Sequence, residues 1–196
     1  MVAEGALELP VISVNNARTK TDFDNLIGTG QSCVLAIADA LEEHAMAVGE
    51  RYQGVFGTRW VVVGYGPVGV GVARFAAALG ARVTVVERDP VRALAALHDG
   101  FEAQSTEQAL PVADVVVSAT GVWHTVTAAG FELLREGTAV AVAGGSMTNS
   151  PSTIWRRTVG NQLCAADTLV SGSNPVPIAG HSARRRRWRE LHRIRG

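Results

Sequence analysis

The residues with the clearest chemical reading are Gly64, Gly66 and Gly69, spaced GxGxxG within GYGPVG. Each glycine answers a separate need of a loop that holds a dinucleotide. Gly64 permits a tight turn, Gly66 lets the backbone approach a pyrophosphate, and Gly69 lets the following helix pack closely on the strand. Pro67 and Val68 complete the loop at the start of that helix, whose N terminus offers unpaired N–H groups and partial positive charge to phosphates. Glu87 lies 18 positions after Gly69, where a carboxylate can accept hydrogen bonds from the adenosine ribose hydroxyls. A carboxylate there repels a 2′-phosphate, so the cofactor expected is NAD, while the neighbouring Arg88 keeps NADP as the lesser alternative. Ser118, Ala119, Thr120 and Gly121 are small residues at the end of an apolar run and are expected to face the nicotinamide half. Lys20 and Asp24, four residues apart, read on residue type alone as a solvated ion pair.

These residues need a scaffold, and the pattern around them supplies one. RWVVVG is a short β-branched run before the glycine loop, and VGVARFAAALGA after it is an Ala-rich helix closed by Gly80. ARVTVVE is a second strand. Asp89 and Pro90 then open a helix as cap and first residue. A short strand is expected near FEAQ, followed by the strand ADVVVSATG, a short helix over FELLREG and the strand TAVAVAGG. Strands apolar on both faces and alternating with helices specify a parallel sheet covered on both sides. The fold class is α/β, a Rossmann-type doubly wound parallel sheet.

The rest of the chain frames this domain. Residues 1–30 are polar, read as irregular, and form a junction segment. Gln31 to about Val48 has helical periodicity with Gly49 as its terminator, so a hinge-like helix precedes the sheet. The NAD-binding domain is expected over residues 31–150. Residues 151–196 carry turn residues, no sustained period and the run RRRRWRELHRIRG, and read as an irregular or disordered basic tail. Residues 1–150 hold 9 Lys+Arg against 16 Asp+Glu, and residues 151–196 hold 9 Arg against 2 acids, so the zero net charge hides two opposed halves. No recognisable nucleic-acid-binding fold accompanies the arginines, and nucleic acid is not an expected partner. Cys33 and Cys164 lack metal-ligand or disulfide spacing and read as small packing thiols; no metal site is expected. No signal peptide or membrane-length apolar run stands out, which places the expected location in the cytoplasm, away from membranes.

The segment SVNNARTKTDFDNLIG closely resembles the junction motif of the S-adenosylhomocysteine hydrolase family, which reads VN–TKxxFDNxxG. The resemblance continues through the hinge-like helix, GYGPVGVG, VTVVERDP and VSATG, over residues 10–145. It implies a redox cycle in which NAD+ oxidises the 3′-hydroxyl of a nucleoside ribose, homocysteine is eliminated, water adds, and the alcohol is restored. By position, Lys20 and Asp24 match the lysine and aspartate that handle protons at that hydroxyl, and Asn25 matches the asparagine beside them. A lysine beside a carboxylate suits such a base.

The sequence also departs from the family. Thr29, Pro67, Val70 and Arg92 replace the family's cysteine, aspartate, lysine and asparagine. VAVAGGS replaces a segment that ends in asparagine–histidine. The family's large N-terminal substrate domain has about ten residues in its place here. The resemblance therefore implies an NAD-binding domain related to one-carbon metabolism and the S-adenosylmethionine cycle, and not a complete hydrolase by itself. Its implied partners are the dinucleotide and a substrate domain on a separate chain, or further copies of this chain. The alternatives are an NAD-dependent oxidoreductase of the 2-hydroxyacid dehydrogenase type and a truncated, non-catalytic remnant.

Overall fold

The computed structural model describes residues 12–143 apart from 16, 50, 123 and 124, together with the backbone of 153–157 and 163–169. Five parallel strands form the sheet's centre: β1 (Arg59–Val63), β2 (Arg82–Val86), β3 (Glu102–Ala103), β4 (Val115–Ser118) and β5 (Ala139–Val142). They lie in the order β3-β2-β1-β4-β5. Their order reverses at β1, which pairs with β2 on one side and β4 on the other, Val63 standing beside both Val86 and Ser118. Ligands of open α/β sheets bind outside the carboxyl ends of the strands at such a reversal.

The valine runs are buried on both faces, as a doubly wound sheet requires. On one face Val62, Val85 and Val117 pack with Cys33, Val34 and Ile37 of α1 (Gly30–Val48) and with Val72 and Ala76 of α2 (Pro67–Ala78). On the other, Val61, Val116 and Val140 pack with Ala109 and Leu110 at the end of the short helix α4 (Thr106–Ala109) and with Leu134. Helix α3 (Pro90–His98) follows β2, and α5 (Ala128–Glu132) precedes β5. Its start is set by the Thr127 side chain, which accepts a hydrogen bond from the Gly130 amide, so it lies slightly before the expected FELLREG segment.

Two regions differ from the sequence reading. Residues Thr19–Thr29, expected as irregular, form a π-helix that runs directly into α1. A π-helix repeats through i→i+5 bonds, so a search at the α-helical period does not find it. Beyond residue 150, where an irregular segment is expected, β6 (Thr153–Arg157) and β7 (Leu163–Leu169) extend the sheet antiparallel from β5. TIWRR and LCAADTL are short and flanked by turn residues, which obscured their period. The Arg-rich run 184–196 lies outside the described residues. Cys33 is fully buried and desolvation pushes its thiol up to about 11, so it packs rather than reacts. The Cys164 side chain lies outside the described residues.

Candidate functional site

The glycine turn joins β1 to α2 at the carboxyl edge of the sheet. Gly64 has φ +96°, a conformation that L side chains rarely adopt, and a Cβ there would meet the Thr120 methyl group at 2.7 Å. A Cβ on Gly69 would fall on the Gly64 carbonyl oxygen, so the helix can approach the strand end only as glycine. Gly66 is different: the nearest atom to an added Cβ is Arg92 Nη1 at 3.8 Å, an ordinary contact with the end of a flexible side chain, so no backbone crowds the turn there. The three glycines thus serve turn, approach and packing separately.

A second close approach was not read from the sequence. A Cβ on Gly71 would collide with the Leu26 carbonyl oxygen, and one on Gly30 with the Gly71 backbone. Glycine is what lets the π-helix and α1 lie directly on α2. The pairing joins positions far apart in sequence, which no local motif reports.

Glu87 directly follows β2 and is half-buried. Its Oε2 accepts the Tyr65 amide at 2.6 Å, while Oε1 accepts the Arg88 amide at 2.7 Å and the Asp89 amide at 3.0 Å. Desolvation pushes the carboxyl up, but these three amides and the charge of Arg92 outweigh it and hold the group below its ordinary range. Tyr65 is anchored in turn. Its buried hydroxyl donates to Asp99 Oδ2 at 2.6 Å, Arg74 Nη2 reaches the same oxygen at 3.0 Å, and its ring meets Phe101 edge-on. Burial, followed by the Asp99 hydrogen bond, keeps the phenol neutral well above its usual range. The turn is therefore held at both ends of Tyr65, by its amide and by its hydroxyl.

Around this turn lies a cavity of about 570 Å³. Gly64, Gly66, Pro67, Val68, Glu87, Arg88, Ala119 and Thr120 line it, as the sequence indicates. Ser118 does not. It is buried in β4, and its carbonyl accepts the Ala143 amide at 2.8 Å. Gly69 acts through packing, and Gly121, with φ +64°, turns the chain away on the exposed side. The sequence reading missed Arg92 of α3, and Gln104, Ser105, Thr106 and Glu107 around the start of α4, as lining residues. A readable signal existed at that second place: Ser105 and Gln108 form a capping box.

The residues present fit a dinucleotide. Helix α3 is capped by Asp89, whose Oδ1 accepts the Val91 amide at 2.9 Å. Helix α2, which opens on the cavity, has no side-chain cap. An uncapped helix start beside an open glycine backbone is a site for phosphate oxygens. The cavity volume lies in the range of sites for small molecules and cofactors.

Lys20, Asp24 and Asn25 are brought together on the π-helix. Lys20 Nζ donates to Asp24 Oδ2 at 3.1 Å and to Asn25 Oδ1. The i→i+5 winding sets residues four and five apart side by side, which explains why all three meet. They do not line the cofactor cavity or the groove of about 330 Å³ between the π-helix and α2. Lys20 and Asp24 remain partly exposed, at 40% and 47%. Among the described residues no group of three or more His, Cys, Asp or Glu could hold a metal ion, and no helix is long and apolar enough to cross a membrane.

Residues 47–161 match the family model described as S-adenosyl-L-homocysteine hydrolase, NAD binding domain. An adenosylhomocysteinase of Aquifex aeolicus is 40% identical over 144 residues, which is 74% of this chain and 32% of the relative. An S-inosyl-L-homocysteine hydrolase of Methanothermobacter thermautotrophicus is similar to the same extent, 40% over 144 residues, again 74% of this chain and 32% of the relative. The chain thus spans about a third of the length of these curated relatives. A glyoxylate reductase from Paecilomyes thermophila superposes with a TM-score of 0.50 at 19% identity, over 63% of this chain and 42% of that one, a likeness of fold alone.

Proposed function

Since the chain belongs to the S-adenosyl-L-homocysteine hydrolase NAD-binding-domain family and its cofactor is NAD, we propose that it is the NAD-holding part of a catalyst acting on the ribose of a nucleoside thioether. The uncapped start of α2, which lines one cavity together with Glu87, is the observation that carries this reading. NAD supplies a hydride acceptor for an alcohol carbon. The chain's own residues bind and orient it. The α2 amides meet the pyrophosphate, and Glu87 takes the adenosine ribose hydroxyls. Ala119 and Thr120 complete the cofactor set from the end of β4, Gly69 supports it through packing in α2, and Asn25, Ser118 and Gly121, which do not line the cavity, are assigned to its surroundings.

Lys20 and Asp24 are assigned to proton handling at the substrate hydroxyl. Asp24 and Asn25 hold the ammonium on one face of the π-helix, and its partial exposure leaves it open to a substrate docking from that side. The substrate comes from a further domain, on a separate chain or in a homo-oligomer, and the location assigned is cytoplasmic. A nucleotide-holding module that does not release homocysteine by itself is the form expected of the 196-residue chain.

Calorimetric titration with NAD+ tests the cofactor half, with saturable heat as the expected result; no heat and no thermal shift at millimolar NAD+ would refute it. A homocysteine-release assay with S-adenosylhomocysteine tests the second half, where no turnover is expected of the chain alone. If turnover is restored by adding a substrate domain, Lys20→Ala should abolish it, and retained turnover would remove Lys20 from the mechanism.

A further inference from the structure

From the outer face of α3 we infer that the chain pairs with a second copy of itself about a two-fold axis, α3 against α3, at the end of the sheet away from β7. The inference stands on packing and charge and does not use the cofactor reading.

Helix α3 buries Ala96 in the core shared by α1, α2 and the sheet. On its opposite side Val91, Leu94 and Leu97 are 72%, 64% and 52% exposed. Spaced three apart, they form one row along the helix. Pro90 and Ala95 flank the row, His98 closes it, and no Asp, Glu, Lys or Arg interrupts it. The one arginine of the helix, Arg92, lines the cofactor cavity instead. A solvated helix carries polar residues on the side away from the core. Helix α3 is apolar on both sides, which is the pattern of a helix that is covered.

The surroundings of the row select a second copy as its cover. A neutral row gives the arginine-rich run 184–196 nothing to pair with. That run also follows β7, the last strand at one end of the sheet, whereas α3 packs on β2 and β3 at the other. Strand β3 is only two residues long, so α3 is the larger surface at its end. A second α3 matches the row. Packed antiparallel about an axis through Leu94, each helix sets Leu94 on the partner's Leu94 and Val91 on the partner's Leu97. The flanking charges agree with the same arrangement. Arg88 is exposed just before the helix and Glu102 is exposed beyond its end, so an antiparallel pair brings cation toward acid at both ends. A parallel pair would set like charges together. Two nine-residue helices bury less than a standard interface, so a dissociation constant on the order of 10 µM is expected.

Sedimentation velocity of the full chain over a concentration series tests this. The expected result is a concentration-dependent dimer. Leu94→Glu should raise its dissociation constant at least about 100-fold, because two carboxylates then meet at the axis. Glu102→Arg should weaken the dimer by about fivefold, and adding Arg88→Glu should restore it. Leu94→Cys, in a Cys164→Ser background, should give a disulfide-linked dimer on mild oxidation, since only a residue at the axis meets its own copy. In that background Val91→Cys and Leu97→Cys should each stay unlinked alone and link when mixed. The cross-link needs no charged variant to fold. A chain that stays monomeric at about 100 µM would overturn the inference. So would a dimer that Leu94→Glu leaves intact, or one lost only when residues 184–196 are deleted, which would make the arginine-rich run the contact.

Discussion

The two edges of the parallel sheet are built from similar residue types and put them to opposite uses. At the amino edge, Asp114 just before β4 accepts the Arg59 amide at 2.8 Å, Arg59 Nε and Nη2 at 3.2 Å, and Arg135 Nη2 at 2.6 Å. Thr138 donates to the Ala113 carbonyl at 3.0 Å, and Thr58 accepts Trp60 Nε1 at 2.9 Å. A hollow of about 300 Å³ exists here too, but Asp114 and Arg135 on its wall pair with each other. At the carboxyl edge α2 begins without a cap, no backbone crowds Gly66, and Arg92 Nε stands 3.7 Å from Asp89 Oδ2 while its charge also acts on Glu87. A cavity lined by paired charges joins strands. One lined by free donors can hold a ligand, and the difference is one of pairing rather than of volume.

The largest effect should come from filling the carboxyl edge. Gly69→Val places atoms on the Gly64 carbonyl oxygen, and relief requires moving α2 away from the strand. NAD+ affinity should fall at least 100-fold and stability by about 3 kcal/mol, read by calorimetry and denaturant melts. A variant that binds normally would show that the close approach is not what shapes the site. Asp114→Ala should do the reverse at the other edge. It leaves the Arg59 amide and two guanidiniums without their acceptor, at about 1–2 kcal/mol for a half-exposed cluster, and NAD+ affinity should stay within twofold. If Asp114→Ala weakens NAD+ as Gly69→Val does, the two edges are not independent.

Glu87→Gln is intermediate. An amide keeps one acceptor oxygen but turns an NH2 group toward backbone donors, so both the turn and the ribose contact weaken. NAD+ affinity should drop about tenfold, with stability lower by about 1 kcal/mol. An unchanged affinity would mean that Glu87 serves only to hold the turn.

The sequence carried the carboxyl edge further than the amino edge, for a physical reason. A glycine loop is a local device: Gly64, Gly66, Gly69 and Glu87 fall within one strand–helix–strand unit, and each needs a residue type that few other positions tolerate. The Asp89 cap and Pro90 start of α3 were readable for the same reason. Arg59, Asp114 and Arg135 meet only once three parallel strands are in register, and nothing in their spacing marks them. Arg92 and Thr106 reach the cavity from separate helices, again by tertiary placement. The π-helix was invisible for a different reason. Its period is not the one sought, and only the family resemblance gave Lys20, Asp24 and Asn25 a chemical role.

The smallest effect separates the edges by pH. Burial pushes the Asp114 carboxyl up, but the side-chain and backbone bonds from Arg59, the charge of Arg59 and the bond from Arg135 outweigh it and hold the group below its ordinary range. Glu87 is held low as well, by amides and by Arg92. A carboxyl with a lower pKa folded than unfolded binds fewer protons in the folded state, so the unfolded chain gains protons first as the medium is acidified. The stability each contributes is full above the ordinary carboxylate range, near pH 4–5, and drains away as the pH falls below it. Thermal melts between pH 7 and pH 3 should therefore show Tm falling on the acid side. Asp114→Asn, which removes a group held by two arginines, should flatten that fall by about 2–4 °C. Glu87→Gln should flatten it less, because its partners are mainly neutral amides. With saturating NAD+ the order should reverse, since acid then also costs the ribose contact at Glu87 but leaves the amino edge untouched. An acid limb that responds equally to both variants, with and without NAD+, would show that the two edges share their charges rather than dividing them between stability and binding.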